Sequence, residues 1–291
     1  MSRSNRQVVL SERPEGIPEA HHFSIVETPV PALAENQILV RNHFLSVEPA
    51  MRGWVNAAAN YSKPVGIGEV MRSFASGEVV ESRHPNYAPG DLVTGMFGWQ
   101  DYAACNVSAV SRKVEETDLP LSLSLGVLGI NGLTAYFALF ELGLPRTGDT
   151  IVVSTAAGAV GSAVGQLAKL AGCRTVGIAG GPVKTALCLS DFGYDVALDY
   201  KAEKDLGAAL AKACPDGIDI YYDNTSGPIT DAVVGQLAVS ARMIICGTAA
   251  VGSWGISTRS CPAATPRQAA SAGEKLFTTG AIWNESDTAT P

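Results

Sequence analysis

The chain has 291 residues, 46% hydrophobic and 17% charged, which is enough apolar material for two cored domains and excludes intrinsic disorder over most of its length. Its 28 acidic residues outnumber 21 basic ones, the net charge is −7, and no run of five Lys or Arg occurs. This balance argues against nucleic-acid binding through phosphate neutralisation. The N-terminal stretch MSRSNRQVVLSERPEG lacks the apolar centre of a secretory signal, and no 18-residue stretch has the composition of a membrane span. Six cysteines (Cys105, Cys173, Cys188, Cys214, Cys246 and Cys261) form no C-x-x-C pair, and the four histidines show no metal-ligand spacing with them. The expectation is a cytoplasmic protein with no metal, no disulfide framework and no membrane or nucleic-acid partner. His21 and His22 fall in a polar loop and read as solvated.

In chain order, residues 7–10, 23–27, 37–44, 77–81, 92–97 and 103–107 are β-rich alternating segments punctuated by Pro and Gly. They predict a compact, partly open β-barrel domain over residues 1–120. From residue 121 the texture changes. Residues 133–142 have helical periodicity, with Gly143 placed as a C-cap. Strands at 150–154, 174–179, 196–199, 218–223 and 242–246 then alternate with helices at 160–171, 182–192, 205–213 and 230–237. Short apolar strands alternating with helices predict a doubly wound parallel sheet covered on both faces, over residues 121–254. The tail, residues 255–291, is rich in Ser, Thr, Ala and Pro and reads mostly as loop or disorder.

The sharpest local feature is IVVSTAAGAVGSAVGQLAKLAG, residues 151–172, with the pattern A-x-G-x-x-G-x-x-x-G. A buried strand ends at Ser154, a turn of small residues follows, and a helix opens near Val160. Gly158 permits the turn, Gly161 permits a pyrophosphate to approach the helix N-terminus, and Gly165 permits close packing of the helix on the sheet. The next strand ends in Gly180-Gly181 without the Asp or Glu that would bond a ribose 2′-hydroxyl. Lys184 lies just beyond and Tyr200 follows the third strand, which favours the 2′-phosphate of NADPH over NADH.

The segments FLSVEPAMRG (44–53), NYSKPVGIGEV (60–70), GWQDYA (98–103), NGLTAYF (131–137), AAGAVGSAVGQLAK (156–169), GIAGGPVK (177–184), DYK (199–201) and YYDN (221–224) occur in the order found in one family. On them the chain resembles the zinc-independent medium-chain dehydrogenase/reductases, in the NADPH-dependent alkenal/enone reductase branch that includes prostaglandin and curcumin reductases. The resemblance implies an α/β protein: a GroES-like partly open barrel followed by a Rossmann domain. It further implies that Ala159, Val160, Gly161 and Ser162 offer N–H groups to the pyrophosphate and that Lys184 and Tyr200 hold the 2′-phosphate. Asn224 stands beside the cofactor, with Cys246 and Gly247 at the strand end bordering it. Tyr61 matches a tyrosine that some members place beside the substrate carbonyl; the alternative is an exposed loop tyrosine.

The implied reaction is reduction of the C=C bond of an α,β-unsaturated ketone or aldehyde, with quinone reduction as a variant the pocket loops do not separate. Family members are commonly homodimers, so a homodimer is a further expectation. The chain departs from the family pattern at Ala50, where a tyrosine is frequent, and at Asp223-Asn224-Thr225-Ser226-Gly227, where DNVGG is commoner. After Trp254 the resemblance stops. The tail has neither a convincing sixth strand nor the segment that returns to the first domain, which implies an NADPH-binding protein of reduced or absent activity as the alternative.

Overall fold

The computed structural model describes residues 4–57 and 63–247. They form two compact units, one ending at Gly129 and the other starting at Ile130. Tyr61 and the tail from 255 onward lie outside the described residues.

In the first unit, β1 (Ser4–Leu10) and β2 (Phe23–Pro29) pair as an antiparallel hairpin. β3 (Gln37–Leu45) is followed by a short helix, α1 (Ala50–Trp54), then β4 (Ala75–Ser82), β5 (Leu92–Gly95), β6 (Tyr102–Asn106) and β7 (Val110–Lys113). These five strands make an antiparallel sheet in the order β6-β3-β4-β5-β7, which bears out the partly open barrel. The run Ile38-Leu39-Val40 is buried throughout, because β3 is flanked by β6 and β4 and covered on both faces. β1 is tied to a distant stretch of chain. Val8 N–H donates to Trp99 O at 2.8 Å and Asp101 N–H to Arg6 O at 2.9 Å. The buried Asn5 side chain exchanges two hydrogen bonds with the Tyr102 backbone, at 2.9 and 2.8 Å.

The 3-10 turn Leu121–Leu125 contacts β4, and Arg112 Nη2 donates to Leu128 O at 3.3 Å, which is why residues 121–129 group with this unit although their composition changes earlier. α1 and β7 escape sequence reading because five and four residues carry no period. One expectation is corrected: His21 is exposed, but His22 is only 7% exposed, and its Nδ1 accepts the Glu19 N–H at 2.9 Å.

The second unit opens with α2 (Ile130–Phe137), which continues as one π-helical stretch, Ala138–Gly143. Gly143 is therefore not the cap: the left-handed residue is Leu144, with φ +45°, while Gly143 is buried where a Cβ would lie 3.0 Å from Ile244 Cδ1. Then follow β8 (Thr150–Ser154), α3 (Ala159–Leu170), β9 (Arg174–Ala179), α4 (Pro182–Ser190), β10 (Val196–Asp199) and α5 (Leu206–Ala213). β11 (Ile218–Asp223), α6 (Pro228–Val234) and β12 (Leu237–Ile245) complete the described chain. All five strands are parallel, in the order β10-β9-β8-β11-β12.

Alternate residues of β8 feed two separate cores. Ile151 and Val153 pack with Val164 of α3, while Val152 packs with Leu210 of α5 and Val233 of α6. This double burial explains the unbroken apolar runs seen in the sequence. The predicted helix 230–237 is corrected: Gly235 ends α6, and Leu237 pairs with Ile218 as the first residue of β12. Among the described residues, no helix is long and apolar enough to cross a membrane.

Candidate functional site

The strand order reverses direction between β8 and β11, since the chain winds outward through β9 and β10 and then returns to the other side. In open parallel sheets, ligands bind beyond the carboxyl ends of the strands at this switch point. The sequence-derived site residues of the second unit gather at that edge.

β8 ends at the buried Ser154, and Thr155 takes the left-handed conformation, φ +53°, that turns the chain towards α3. Gly158 is the N-cap, its N–H donating to Thr155 O at 2.8 Å. The first N–H groups of α3, on Ala159, Val160 and Gly161, have no acceptor within the helix and point out of its positive end. Ser162 differs from expectation: its N–H donates to Gly158 O at 2.8 Å, and its hydroxyl, which donates to Ala159 O at 3.2 Å, must turn away to reach a phosphate.

Gly161 and Gly165 are required by packing. A Cβ on Gly161 would lie 2.3 Å from Thr155 O, and one on Gly165 would lie 2.4 Å from the Tyr194 ring. The Tyr194 hydroxyl in turn donates to Gly161 O at 2.6 Å, locking the first turn of α3 from behind. Close packing by the third glycine was anticipated; its partner, Tyr194, was not.

The β11 end is built around Asp223, which is 1% exposed. Its Oδ1 accepts from Ser154 Oγ at 3.2 Å, Tyr221 OH at 3.0 Å, Thr225 N at 2.9 Å and Ser226 N at 2.8 Å, and its Oδ2 accepts from Thr230 Oγ1 at 2.6 Å. Its backbone carbonyl accepts from Cys246 N at 2.8 Å and Gly247 N at 3.1 Å. Asn224 is fixed by Ser154 twice, N to Oγ and Nδ2 to O, both at 2.8 Å. Asn224, Cys246 and Gly247 are thus brought together with the end of β8. The Cys246 thiol is pushed up by burial, so it is a packing residue rather than a nucleophile.

Ser226 carries φ +62°, in the position where the family pattern has glycine. A left-handed L-residue costs about 1–2 kcal/mol, partly offset by glycine's greater unfolded-state freedom. Ser226→Gly is therefore expected to raise stability by about 0.5–1 kcal/mol, read as a shift in the urea midpoint with unchanged slope.

At the other side of the switch point, the Gly180-Gly181 turn joins β9 to α4. A Cβ on Gly180 would lie 2.9 Å from the Tyr200 ring and 3.1 Å from Lys201 Cε, so both residues stand over this turn. Lys184 is exposed on the first turn of α4 and has no ion pair among the described residues. One carboxylate is present here, Asp199, but its Oδ1 already accepts Gly181 N at 2.8 Å and Lys201 N at 3.0 Å. The Gly181 N–H holds its carboxyl below the usual range. Asp199, Lys201, Ser154 and Tyr194 were not singled out from the sequence, because each acts through partners on other strands and helices.

In the first unit, the two flanks of segment 58–62, which contains Tyr61, are held by Arg13. Its Nη1 donates to Val55 O and Asn56 O, and its Nη2 to Val65 O, all at 2.9 Å. A separate apolar cavity of about 460 Å³ lies between Phe23, Met51, Met71 and Trp99, within this unit.

A doubly wound sheet with an open helix N-terminus at its switch point defines a dinucleotide-binding protein. Comparison with known proteins narrows this. Residues 6–112 match a family described as the N-terminal domain of oxidoreductase, and residues 159–263 one described as zinc-binding dehydrogenase. The chain is 47% identical over 245 residues to NADPH-dependent curcumin reductase of Escherichia coli (strain K12), covering 84% of this chain and 70% of that protein. It is 42% identical over 235 residues to prostaglandin reductase 1 of Mus musculus, covering 80% and 69%. The crystal structure of CurA from Vibrio vulnificus in complex with NADPH superposes with a TM-score of 0.79 at 41% identity, covering 84% of this chain and 72% of that one. The chain belongs to the zinc-independent medium-chain dehydrogenase/reductase family, in its enone reductase branch, and is an oxidoreductase.

Proposed function

We propose that this protein is a cytoplasmic NADPH-dependent reductase of the C=C bond of α,β-unsaturated ketones and aldehydes. The second unit serves as its NADP-binding domain and the first as its substrate-side domain. The observation that carries the reading is the switch-point edge: free N–H groups open α3, Lys184, Tyr200 and Lys201 flank the Gly180-Gly181 turn, and the nearby Asp199 turns one of its two oxygens to backbone N–H groups. The residues present fit NADPH, and the relatives named for NADPH support it. The five described cysteines are free, which suits a reducing compartment.

When bound, NADPH supplies a hydride to the β-carbon of the substrate. Ala159, Val160 and Gly161 hold the pyrophosphate through backbone N–H groups, with the Ser162 hydroxyl beside them. Lys184 and Tyr200 take the 2′-phosphate. Asn224, Cys246 and Gly247 would border the bound cofactor, kept in place by Asp223 and Ser154. Tyr61 donates a hydrogen bond to the substrate carbonyl oxygen, stabilising the negative charge that develops there, and solvent supplies the remaining proton.

The test is loss of NADPH absorbance with a simple enone, alongside NADPH binding by fluorescence. Turnover that depends on the enone and falls in Tyr61→Phe supports the reading. Tight NADPH binding without turnover on enones or quinones replaces it with a nucleotide-binding, catalytically incompetent protein. For cofactor choice, Lys184→Ala is expected to weaken NADPH binding about tenfold, the loss of one charge-assisted contact. Its effect on NADH binding is expected to be nil, and fluorescence titration of both nucleotides checks this.

A further inference from the structure

The connection between β1 and β2 gathers metal-ligating side chains in the first unit, whereas the described residues assigned above to the cofactor belong to the second. Leu10 and Phe23 form the last rung of the hairpin, and beyond it the N–H groups of Ser11, at 2.8 Å, and Glu12, at 3.3 Å, converge on the His22 carbonyl. Both ends of the connection are thereby held side by side. One nitrogen each from His21 and His22 and one oxygen from Glu12 all lie within 4.8 Å of one another. The two imidazoles face each other, with centroids 3.9 Å apart and a tilt of 34°, and His21 Nε2 is 3.8 Å from Glu12 Oε1.

The surroundings are those a metal site needs. Histidines that bind a metal through one nitrogen usually direct the other at a carbonyl or carboxylate, which fixes tautomer and ring orientation. Glu19 supplies both: its Oε2 lies 3.6 Å from His21 Nδ1 and its carbonyl 3.1 Å from His22 Nδ1. His22 Nδ1 also accepts the Glu19 N–H at 2.9 Å. Binding an ion through Nε2 takes the other tautomer, in which Nδ1 donates to the Glu19 carbonyl and the Glu19 N–H gives up its bond to the ring. His22 is buried and so held in position beforehand, while Glu12 and His21 are exposed and give an ion its approach. Two imidazoles and one carboxylate favour borderline divalent ions over calcium or magnesium, which prefer all-oxygen sets.

We propose that Glu12, His21 and His22 form a binding site for a divalent transition-metal ion of the zinc, cobalt or nickel type, with solvent completing the coordination. The ion clips the β1–β2 connection closed and stabilises the first unit. The site is independent of the reductase reading, and it departs from the metal-free expectation drawn from sequence spacing. Residues 12 and 21–22 match no ligand motif, and the hairpin alone brings them together.

The test uses the full chain, stripped with a chelator and titrated with zinc by calorimetry and with cobalt by visible absorption. The expected result is one zinc equivalent bound, a rise in Tm with zinc that magnesium does not reproduce, and a cobalt spectrum without thiolate charge-transfer bands. The double variant Glu12→Gln/His21→Ala, both exposed positions, is expected to keep the metal-free Tm and circular dichroism spectrum while losing saturable binding and the Tm rise. Glu19→Gln is expected to bind about tenfold more weakly, the usual cost of losing an outer partner. Absence of saturable zinc binding by the wild type, undiminished binding by the double variant, or cobalt bands that place the ion on cysteine would each overturn the proposal.

Discussion

Asp223→Ala is expected to cost about 3–5 kcal/mol of stability, the range for breaking a buried hydrogen-bonded network around a charged group. The carboxylate takes six donors, from Ser154, Tyr221, Thr225 (N–H and hydroxyl), Ser226 and Thr230, and of these residues only Thr225 is not buried. Each stranded donor costs about 1–3 kcal/mol, and partial relaxation of the 224–227 loop brings the total below the sum. Asp223→Asn keeps one acceptor oxygen and the shape, and its amide can donate to Thr230 Oγ1, so its cost is expected to be about half as large. Urea unfolding of both variants gives the comparison. Equal costs would mean that Asn224 and its loop are held by something other than this side chain. NADPH binding is expected to fall in parallel, because Ser154, which fixes Asn224, and Ser226, whose hydroxyl donates to Gly247 O, both donate to this carboxylate.

Gly161→Ala is the second large effect. The added methyl meets Thr155 O at 2.3 Å and Ala156 Cα at 2.9 Å, backbone atoms that cannot turn aside, so α3 must lift from its own turn. Overpacking of this kind costs about 1–3 kcal/mol, and displaced N–H groups are expected to reduce NADPH affinity by tenfold or more, about 1.4 kcal/mol. Gly165→Ala provides the contrast, since its methyl meets the Tyr194 ring rather than backbone. Adding Tyr194→Leu is expected to recover part of the Gly165→Ala loss, a non-additivity typical of residues in contact, and to recover none of the Gly161→Ala loss. Thermal melts with and without NADPH distinguish these outcomes.

Much of the second unit was legible because parallel strands covered on both faces must be apolar along their whole length: 150–154 and 218–223 announce themselves as strands. The glycine turn was legible for a related reason, since its spacing is dictated by how closely a helix can lie on the turn that feeds it. The ends of elements were less so. Leu144 takes the left-handed cap that Gly143 seemed made for, because Gly143 is needed to admit Ile244. Leu237 looks helical in sequence and is a strand residue because Ile218 is there to pair with it. The supports of the site were not legible at all. Ser154 and Asp223 are 69 positions apart, and Tyr194 lies 33 positions beyond Gly161; only the folded sheet makes them neighbours.

The tie between β1 and residues 99–102 bears on synthesis of the chain. Asn5 and Tyr102 are 97 positions apart, so at about 5–20 residues per second the first strand emerges from the ribosome about 5–20 s before its partner. Before then it has β2 and, once they emerge, residues 68–71 to bond with, and a lone two-stranded hairpin is marginal in water. In the second unit most pairings join strands one helix apart, but β8 waits for β11, since Ile151 pairs with Ile220 only after three helices have been made. Slowing translation before codon 102 is therefore expected to lengthen the interval in which β1 lacks its full set of partners.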